Sequence, residues 1–386
     1  MNDIGLASSI GIITVFIAFL LALFLFTLKT DKKLGNRLFA FFLILIALDI
    51  SGWAFPEVLD TNSNLTLIKS NLIFLQLPVF YLHILAMSYI DFKLKTKHLL
   101  HAVPFVIANI ILIPRYYSVD ASAKMEFLKR SKEMWEIQFF HIFIHLQIAL
   151  YLIIIFLLLQ KIHKIYLENY TNSDTKSYSW LFNITVFLAL FHGLALLKNI
   201  FKFSTYEAVT EWIKITLGVA ELLILCWYLF KALQHPELFR SVDSKLQLVD
   251  NMLDEEKKVI EVEDQKTIDR LRDHMEKEAP FLDPSLTSKN LADALQLPVK
   301  ELSILINHKI GMHFFDFVNE YRIKKAMEIL ENTAKSELTI LEILYEVGFN
   351  SKSSFNTSFK KYTGLTPTVY RKQLQNQQIN QKSNVS

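Results

Sequence analysis

Apolar positions crowd the first three-fifths of the chain, in runs too long and too evenly apolar for one-sided helices. The runs 4–28, 38–55, 71–90, 99–117, 138–160, 179–198 and 211–233 are the ones that qualify. Each approaches the roughly 20 residues a helix needs to cross a hydrocarbon core of about 30 Å. IGIITVFIAFLLALFLFTL and YLIIIFLLL are the cleanest. Pro104 and Pro114 interrupt the fourth run, which a membrane helix tolerates where neighbours satisfy the freed backbone groups.

Near residue 236 the pattern changes. The stretch that follows is charged and lacks Gly and Pro up to Pro280. In it Val242, Leu246, Val249 and Leu253 alternate spacings of four and three, and Ile260 continues the series. This is a candidate coiled-coil seam between two copies, but it is shorter than a sustained seam, which favours a solvated connecting helix. Pro280 and Pro284 end the segment, and Thr287 or Ser288 supplies an N-cap for the next helix.

Beyond that point helices alternate with tight turns. Leu291, Ala292 and Leu295 share one helix face, and Leu302, Leu305, Ile306 and Lys309 share another. Gly311 stops the second helix by accepting a left-handed conformation. HFFDFVNEYRIKKAMEIL predicts a long helix offering Phe314, Phe317, Val318, Tyr321, Ala326 and Leu330 to a core. The pattern then recurs as TILEILYEV, a break at Gly348–Phe349, and SKSSFNTSFKKY. Helix, tight turn, helix is the form that lets a second helix enter a major groove. The predicted fold is all-α: a seven-helix transmembrane bundle, then a soluble domain with two helix-turn-helix units.

These residues carry a resemblance. LADAL, LSILINHKIG, FVNEYR, ILYEVGF and FNTSFKKYTGLTPTVYRK are similar, over about residues 284–373, to the DNA-binding domain of AraC-type transcription regulators. Arg322, Gly348–Phe349, Phe355, Phe359, Lys360, Lys361, Gly364, Thr366, Pro367, Tyr370 and Arg371 sit at the family's spacing. Ala292 is kept in the first unit, whereas Leu344 stands where the family usually has a small residue. The whole chain also resembles regulators in which a seven-helix membrane region precedes this domain. The resemblance implies a bacterial protein with double-stranded DNA as partner; the near-neutral charge of most of the domain leads us to expect dependence on a homodimer, and no cofactor is assigned.

Both the residues and the resemblance point to reading faces. Phe355 and Phe359 point inward at i, i+4, which turns Lys352, Ser353, Asn356 and Thr357 outward, where the family faces bases. Asn suits adenine and Lys suits guanine acceptors. In the first unit Lys300, Ser303, Ile304 and Asn307 are expected on the equivalent face. Lys360, Lys361 and Arg371 are assigned to phosphates, which position without specifying sequence. Ala292, Gly311, Arg322, Gly348, Phe349, Phe355, Phe359 and Pro367 carry structural roles.

Charge adds orientation. Loops one, three and five bear Lys29, Lys32, Lys33 and Arg37, then Lys93, Lys95 and Lys97, then Lys161, Lys164 and Lys176. The second and sixth offer little beyond Lys69 and Lys202, while the fourth balances bases with acids. The excess places odd loops in the cytoplasm, the N-terminus outside and the C-terminus inside. The expected location is the cytoplasmic membrane of a bacterium. MNDIGLASS has no basic region, so a cleaved signal peptide is not expected. Net charge over 386 residues is only +3, but no acidic residue follows Glu346.

Ionisable residues within spans are costly and default to functional candidates. Here they are Asp49, His83, His141, His145, His192, Lys198, Lys214 and Glu221. Of these, Asp49, His141, His145, His192 and Glu221 form a candidate site for a small-molecule or membrane signal. His141 and His145 have the i, i+4 spacing that metal sites use. A zinc site wants three or four convergent ligands, so inter-helix hydrogen bonding is the simpler reading and no metal is assigned. The one cysteine, Cys226, excludes a disulfide framework, and nine glycines without a Walker loop or dinucleotide fingerprint argue against an enzyme.

The expected organisation is therefore a seven-span sensor at 1–235, a charged helical linker at 236–283, the DNA-binding domain at 284–373 and a polar disordered tail at 374–386. Its function would be to couple a signal at the lipid bilayer to gene expression. The alternative is a transporter or receptor whose C-terminal domain docks a regulatory protein.

Overall fold

The computed structural model describes residues 5–28, 33–55, 63–89, 91–131, 133–171, 175–202, 207–234, 264–332 and 337–383. The seam through Val242, Leu246, Val249, Leu253 and Ile260 lies outside these residues. The chain divides into two compact units, Met1–Gln160 with Lys176–Ser244, and Lys161–Thr175 with Lys245–Ser386. Among the described residues the elements of both are helices.

The first unit contains α1 (Leu6–Thr27), α2 (Lys33–Ala54), α3 (Asn64–Asn71), α4 (Ile73–Ser88), α5 (Val103–Leu112), α6 (Ala121–Lys129), most of α7 (Trp135–Asn169), α8 (Thr175–Lys202) and α9 (Glu207–Gln234). Helix α2 packs against α1 and α4, and α1 also meets α9. The rings of Phe39 on α2 and Tyr228 on α9 stack 4.5 Å apart. Pro104 falls in the first turn of α5, where its missing N–H costs nothing, and Pro114 opens a π-turn, Ile113–Tyr117.

By length and composition, six segments among the described residues can cross a membrane: Leu6–Thr27, Lys33–Gly52, Asn64–Ser88, Thr96–Tyr117, Trp135–Asn169 and Tyr178–Lys202. They coincide with the first six predicted runs. The seventh run lies inside α9, where Glu211, Lys214 and Glu221 dilute the apolar character. Helix α7 is apolar on two sides. Ile144, Ile148, Ile155 and Leu159 are buried, yet Ile142, Leu146, Leu150, Ile153 and Leu157 form an exposed stripe at spacings of three and four. A helix in water hides its apolar face and shows a polar one.

The second unit contains α10 (Asp264–Lys277), α11 (Ser288–Ala294), α12 (Val299–Ile304) running into a π-turn Leu305–Ile310, α13 (Phe314–Glu331), α14 (Ile340–Glu346), α15 (Lys352–Thr363) and α16 (Pro367–Ser383). Two cores share α13. Its first half puts Phe314, Phe317 and Val318 with Leu291, Ala292, Leu302 and Ile306. Its second half puts Ile323, Ala326 and Ile329 with Ile343, Leu344, Phe349, Phe355 and Phe359.

Two boundaries and one helix face differ from the sequence reading. Helix α10 was assigned to the linker, but Ile268, Leu271 and Met275, spaced by three and four, join the first core. The domain therefore begins before residue 284. At the other end α16 continues to Ser383, through most of the segment expected to be disordered. Residues 368–383 hold neither Gly nor Pro, so nothing in them breaks a helix. Lys309, expected beside Leu305 and Ile306, is exposed, because the wider π-turn rotates it off that face.

Candidate nucleic-acid interface

Each helix-turn-helix unit is built by the same local chemistry. Thr287 caps α11: its hydroxyl accepts from the N–H of Asn290 (3.2 Å), whose Oδ1 accepts from the N–H of Thr287 (3.1 Å). Thr339 caps α14 in the same reciprocal way with Glu342, at 3.1 and 2.7 Å. The N–H and the hydroxyl of Thr339, both directed at the Glu342 carboxyl, hold it below the usual range. The turns match as well. The N–H of Leu297 donates to the Ala292 carbonyl (2.9 Å), and that of Phe349 to the Leu344 carbonyl (3.0 Å). Gln296 and Gly348 hold the left-handed position at φ 55° and 86°. Thr287 and Thr339, Ala292 and Leu344, Gln296 and Gly348, and Leu297 and Phe349 all differ by 52 in number. The two units are structural repeats.

Gly348 has a second constraint. A Cβ placed there would stand 2.6 Å from the carbonyl oxygen of Phe281 and 2.7 Å from that of Leu282. Only glycine permits both the positive φ and this approach. Leu344, large for its position, is accommodated at 1% exposure within the second core.

Arg322 lies between the two cores and is fully buried. Its Nε donates to the Phe281 carbonyl (2.6 Å), Nη2 to the Asp283 carbonyl (2.8 Å) and Nη1 to Asn319 Oδ1 (3.3 Å). The guanidinium also sits 5.4 Å from the centre of the Phe349 ring. Burial pulls its pKa down to about 10, opposed by Asp283, so it stays charged at neutral pH.

On α15, Phe355 and Phe359 are fully buried, with Ser358 beside them. Lys352, Ser353, Thr357 and Lys360 are exposed, and Asn356 is half-buried at the edge of the same face. These are the outward positions expected from the sequence.

The first unit corrects the expected face. Ser303 is buried, at 5% exposure. It stands 52 residues before Phe355 and so holds the inward position. Asn307, the counterpart of Phe359, is turned to local bonds: its Nδ2 donates to the Ser303 carbonyl (2.8 Å), and its Oδ1 pairs with His313 Nδ1 (3.1 Å). The outward side instead shows Glu301 and His308, with Lys300 and Ile304 half-buried. The repeat spacing was the signal that would have found this.

Among the residues assigned to phosphate, Lys360 is exposed and Arg371 half-buried. Lys361 forms an ion pair with Asp316 at 2.6 Å, linking α15 to α13. Gly364 ends α15 at φ 79°, Pro367 opens α16, and Tyr370 donates to Glu331 (2.8 Å) while its ring meets Phe359 edge-on.

A model of a helix-turn-helix domain matches residues 291–373. The curated relatives that match this chain are named as regulators. The Msm operon regulatory protein of Streptococcus mutans is 30% identical over 92 residues, covering 24% of this chain and 32% of the relative. The melibiose operon regulatory protein of Escherichia coli K12 is 30% identical over 90 residues, covering 23% and 29%. The C-terminal domain is of the AraC type. A solved structure, the C-terminal domain of AraT, a response regulator from Geobacillus stearothermophilus, shares 33% identity, with 28% of this chain and 84% of that one covered and a TM-score of 0.25. The chain spans about a third of the length of the curated relatives it matches first. The helix-turn-helix match thus lies within the second unit and leaves the first without a counterpart in it.

In the first unit His192 is buried, His141, His145 and Glu221 are half-buried, and Asp49 is exposed on α2. Lys198 lies close enough to act electrostatically on Asp49, His141 and His145. Gln76 and Glu221 lie within electrostatic reach of Asp49, and His192 within that of His145. Asn199 donates to His145 Nε2 (2.8 Å) and Lys202 to His141 Nε2 (3.3 Å). His83 lies apart from this set: buried, it bonds through Nδ1 to the Gly35 carbonyl (2.9 Å). Among the described residues no group of three or more His, Cys, Asp or Glu is arranged to hold a metal.

Proposed function

We propose that this protein is a membrane-anchored, sequence-specific transcription regulator. In this reading the helices of the first unit span the cytoplasmic membrane of a bacterium, with the N-terminus outside and the AraC-type domain in the cytoplasm. The observation that carries it is the union, in one chain, of the exposed apolar stripe on α7 and the polar, acid-free face of α15. A stripe of five large aliphatic side chains is stable against lipid and costly against water. Helix α15 offers amides, hydroxyls and amines above a sealed Phe355–Phe359 core, which is what base edges require.

The polar set around Lys198 supports a signal site. Asp49, Glu221, His141, His145 and His192 come from four helices, so a ligand or proton taken there changes how those helices are held. Such a ligand acts only through its different affinity for two arrangements. Action as a homodimer fits the modest basic charge of a single domain.

Two measurements on the intact chain test the function. Membrane pellets should retain the protein through alkaline and high-salt washes and release it to detergent. The detergent-purified protein should shift duplex DNA with an affinity that falls steeply as salt rises. Recovery in the soluble fraction overturns the membrane assignment, and a flat salt response overturns the DNA assignment.

A further inference from the structure

The segment Lys161–Thr175 belongs to the second unit, although most of its residues complete α7. Its end is fastened to the AraC-type domain by main chain and side chains together. Tyr170 and Thr287 form an antiparallel bridge. The Ser288 hydroxyl donates to Asn169 Oδ1 (3.0 Å), and the Thr171 hydroxyl donates to the Leu286 carbonyl (2.9 Å). Arg322 adds Nη1 to the Thr171 carbonyl (3.4 Å) and Nη2 to the Thr171 hydroxyl (3.3 Å). Glu168, Asn169, Thr171 and Ser288 are all buried. A charged group with no exposure needs its donors met, and Thr171 supplies two of the acceptors that Arg322 uses.

Length gives the contact meaning. Helix α7 has 35 residues, about 53 Å of helix against about 30 Å of hydrocarbon. A spanning helix of that length has turns to spare, and its last turns are the ones fastened to Arg322 and Ser288. The same segment brings Lys164 and Glu168 into a cleft with His308, Asp316 and Lys361. Glu168 thus puts a carboxylate where His308 and Lys361 edge the face assigned to DNA, and Lys361 is already paired with Asp316.

Resting on the DNA-binding function above, we propose that residues 164–171 are a docking strap. Held by Arg322 and Ser288, the strap keeps the AraC-type domain in a state with a reduced hold on DNA. A change among the first-unit helices acts by freeing it. The surface that receives the strap is the start of α11 together with Arg322, and its occupant is this chain's own Asn169–Thr171.

The test uses the full-length chain in lipid nanodiscs. Cys226→Ser removes the one native thiol, Asn169→Cys and Ser288→Cys form the reporting pair, and Asn169→Cys with Lys372→Cys is the control. Mild oxidation should protect the 169/288 pair from maleimide about ten-fold faster than the control. The oxidised protein should bind a duplex selected from a random library about ten-fold more weakly than the reduced protein, a coupling within the ordinary range. Thr171→Val, which keeps shape but removes the hydroxyl, should tighten DNA binding. Equal protection of the two pairs overturns the docking. Rapid cross-linking with unchanged affinity, or weaker binding by Thr171→Val, overturns the regulatory role. Absence of DNA binding in both redox forms strikes the proposed function and the regulatory role with it, while the cross-link still decides the docking.

Discussion

The Nε–H of Arg322 donates over 2.6 Å to the carbonyl oxygen of Phe281, the same atom that a Cβ at residue 348 would crowd. One carbonyl therefore ties the middle of α13 to the turn of the second helix-turn-helix unit. Residues far apart in sequence meet at a point that tolerates neither a lost donor nor an added methyl.

Gly348→Ala is expected to destabilise the AraC-type domain by about 3 kcal/mol or more, from a left-handed backbone and a contact under van der Waals distance. Hydrogen exchange on the intact chain should show α14 and α15 losing protection together. Unchanged exchange in both helices would contradict the close approach.

Arg322→Lys keeps the charge but loses the planar fork. It leaves the Phe281 or Asp283 carbonyl short of a donor in a buried site, at about 1–3 kcal/mol for each orphaned group. Protection should fall in both cores, because α13 is common to them. A loss confined to one core would argue against Arg322 as their shared tie.

Asn356→Ala should lower affinity at particular bases and leave others alone, whereas Lys360→Ala should weaken every duplex alike and reduce the salt slope by about one. Glu301 and His308, outward on the first unit, should alter sequence preference when changed to alanine. Ser303→Ala, at a buried site, should leave that preference as it is. Binding measured over a randomised duplex library separates these outcomes.

Acid should loosen the domain through identified carboxyls. Bonds from Ser285, with Arg322 nearby, hold Asp283 below its ordinary pKa, and the Thr339 cap does the same for Glu342. A carboxyl depressed by folding contributes its full stabilisation above the unfolded value, about 3.9 for Asp and 4.3 for Glu. That contribution is lost as pH falls through the lower folded value. Protection of α14 should therefore decline below about pH 4, and less so in Glu342→Gln, which has no charge to lose.

Much of the architecture could be read in the one-dimensional pattern. Periods of three and four, a Thr cap, a glycine after Ile310 and another after Val347 are local signals, each acting within a turn of its own position. They located the helices from α11 to α15 and the inward pair Phe355 and Phe359. Runs of 20 or so apolar residues similarly marked the long helices of the first unit, since length against hydrocarbon thickness needs no knowledge of neighbours.

What depended on distance in sequence was hidden. Ile268, Leu271 and Met275 show their role only once Leu291 and Phe317 stand opposite them. Ser303 looks like a surface residue because serine is at home on surfaces, and only its place in the repeat turns it inward. The set around Lys198 needed four helices brought side by side. The docking of Asn169 and Thr171 on Ser288 and Arg322 joins residues more than a hundred positions apart. Local preference is written along the chain, whereas the satisfaction of a buried charge is settled only where the folded chain delivers its partners.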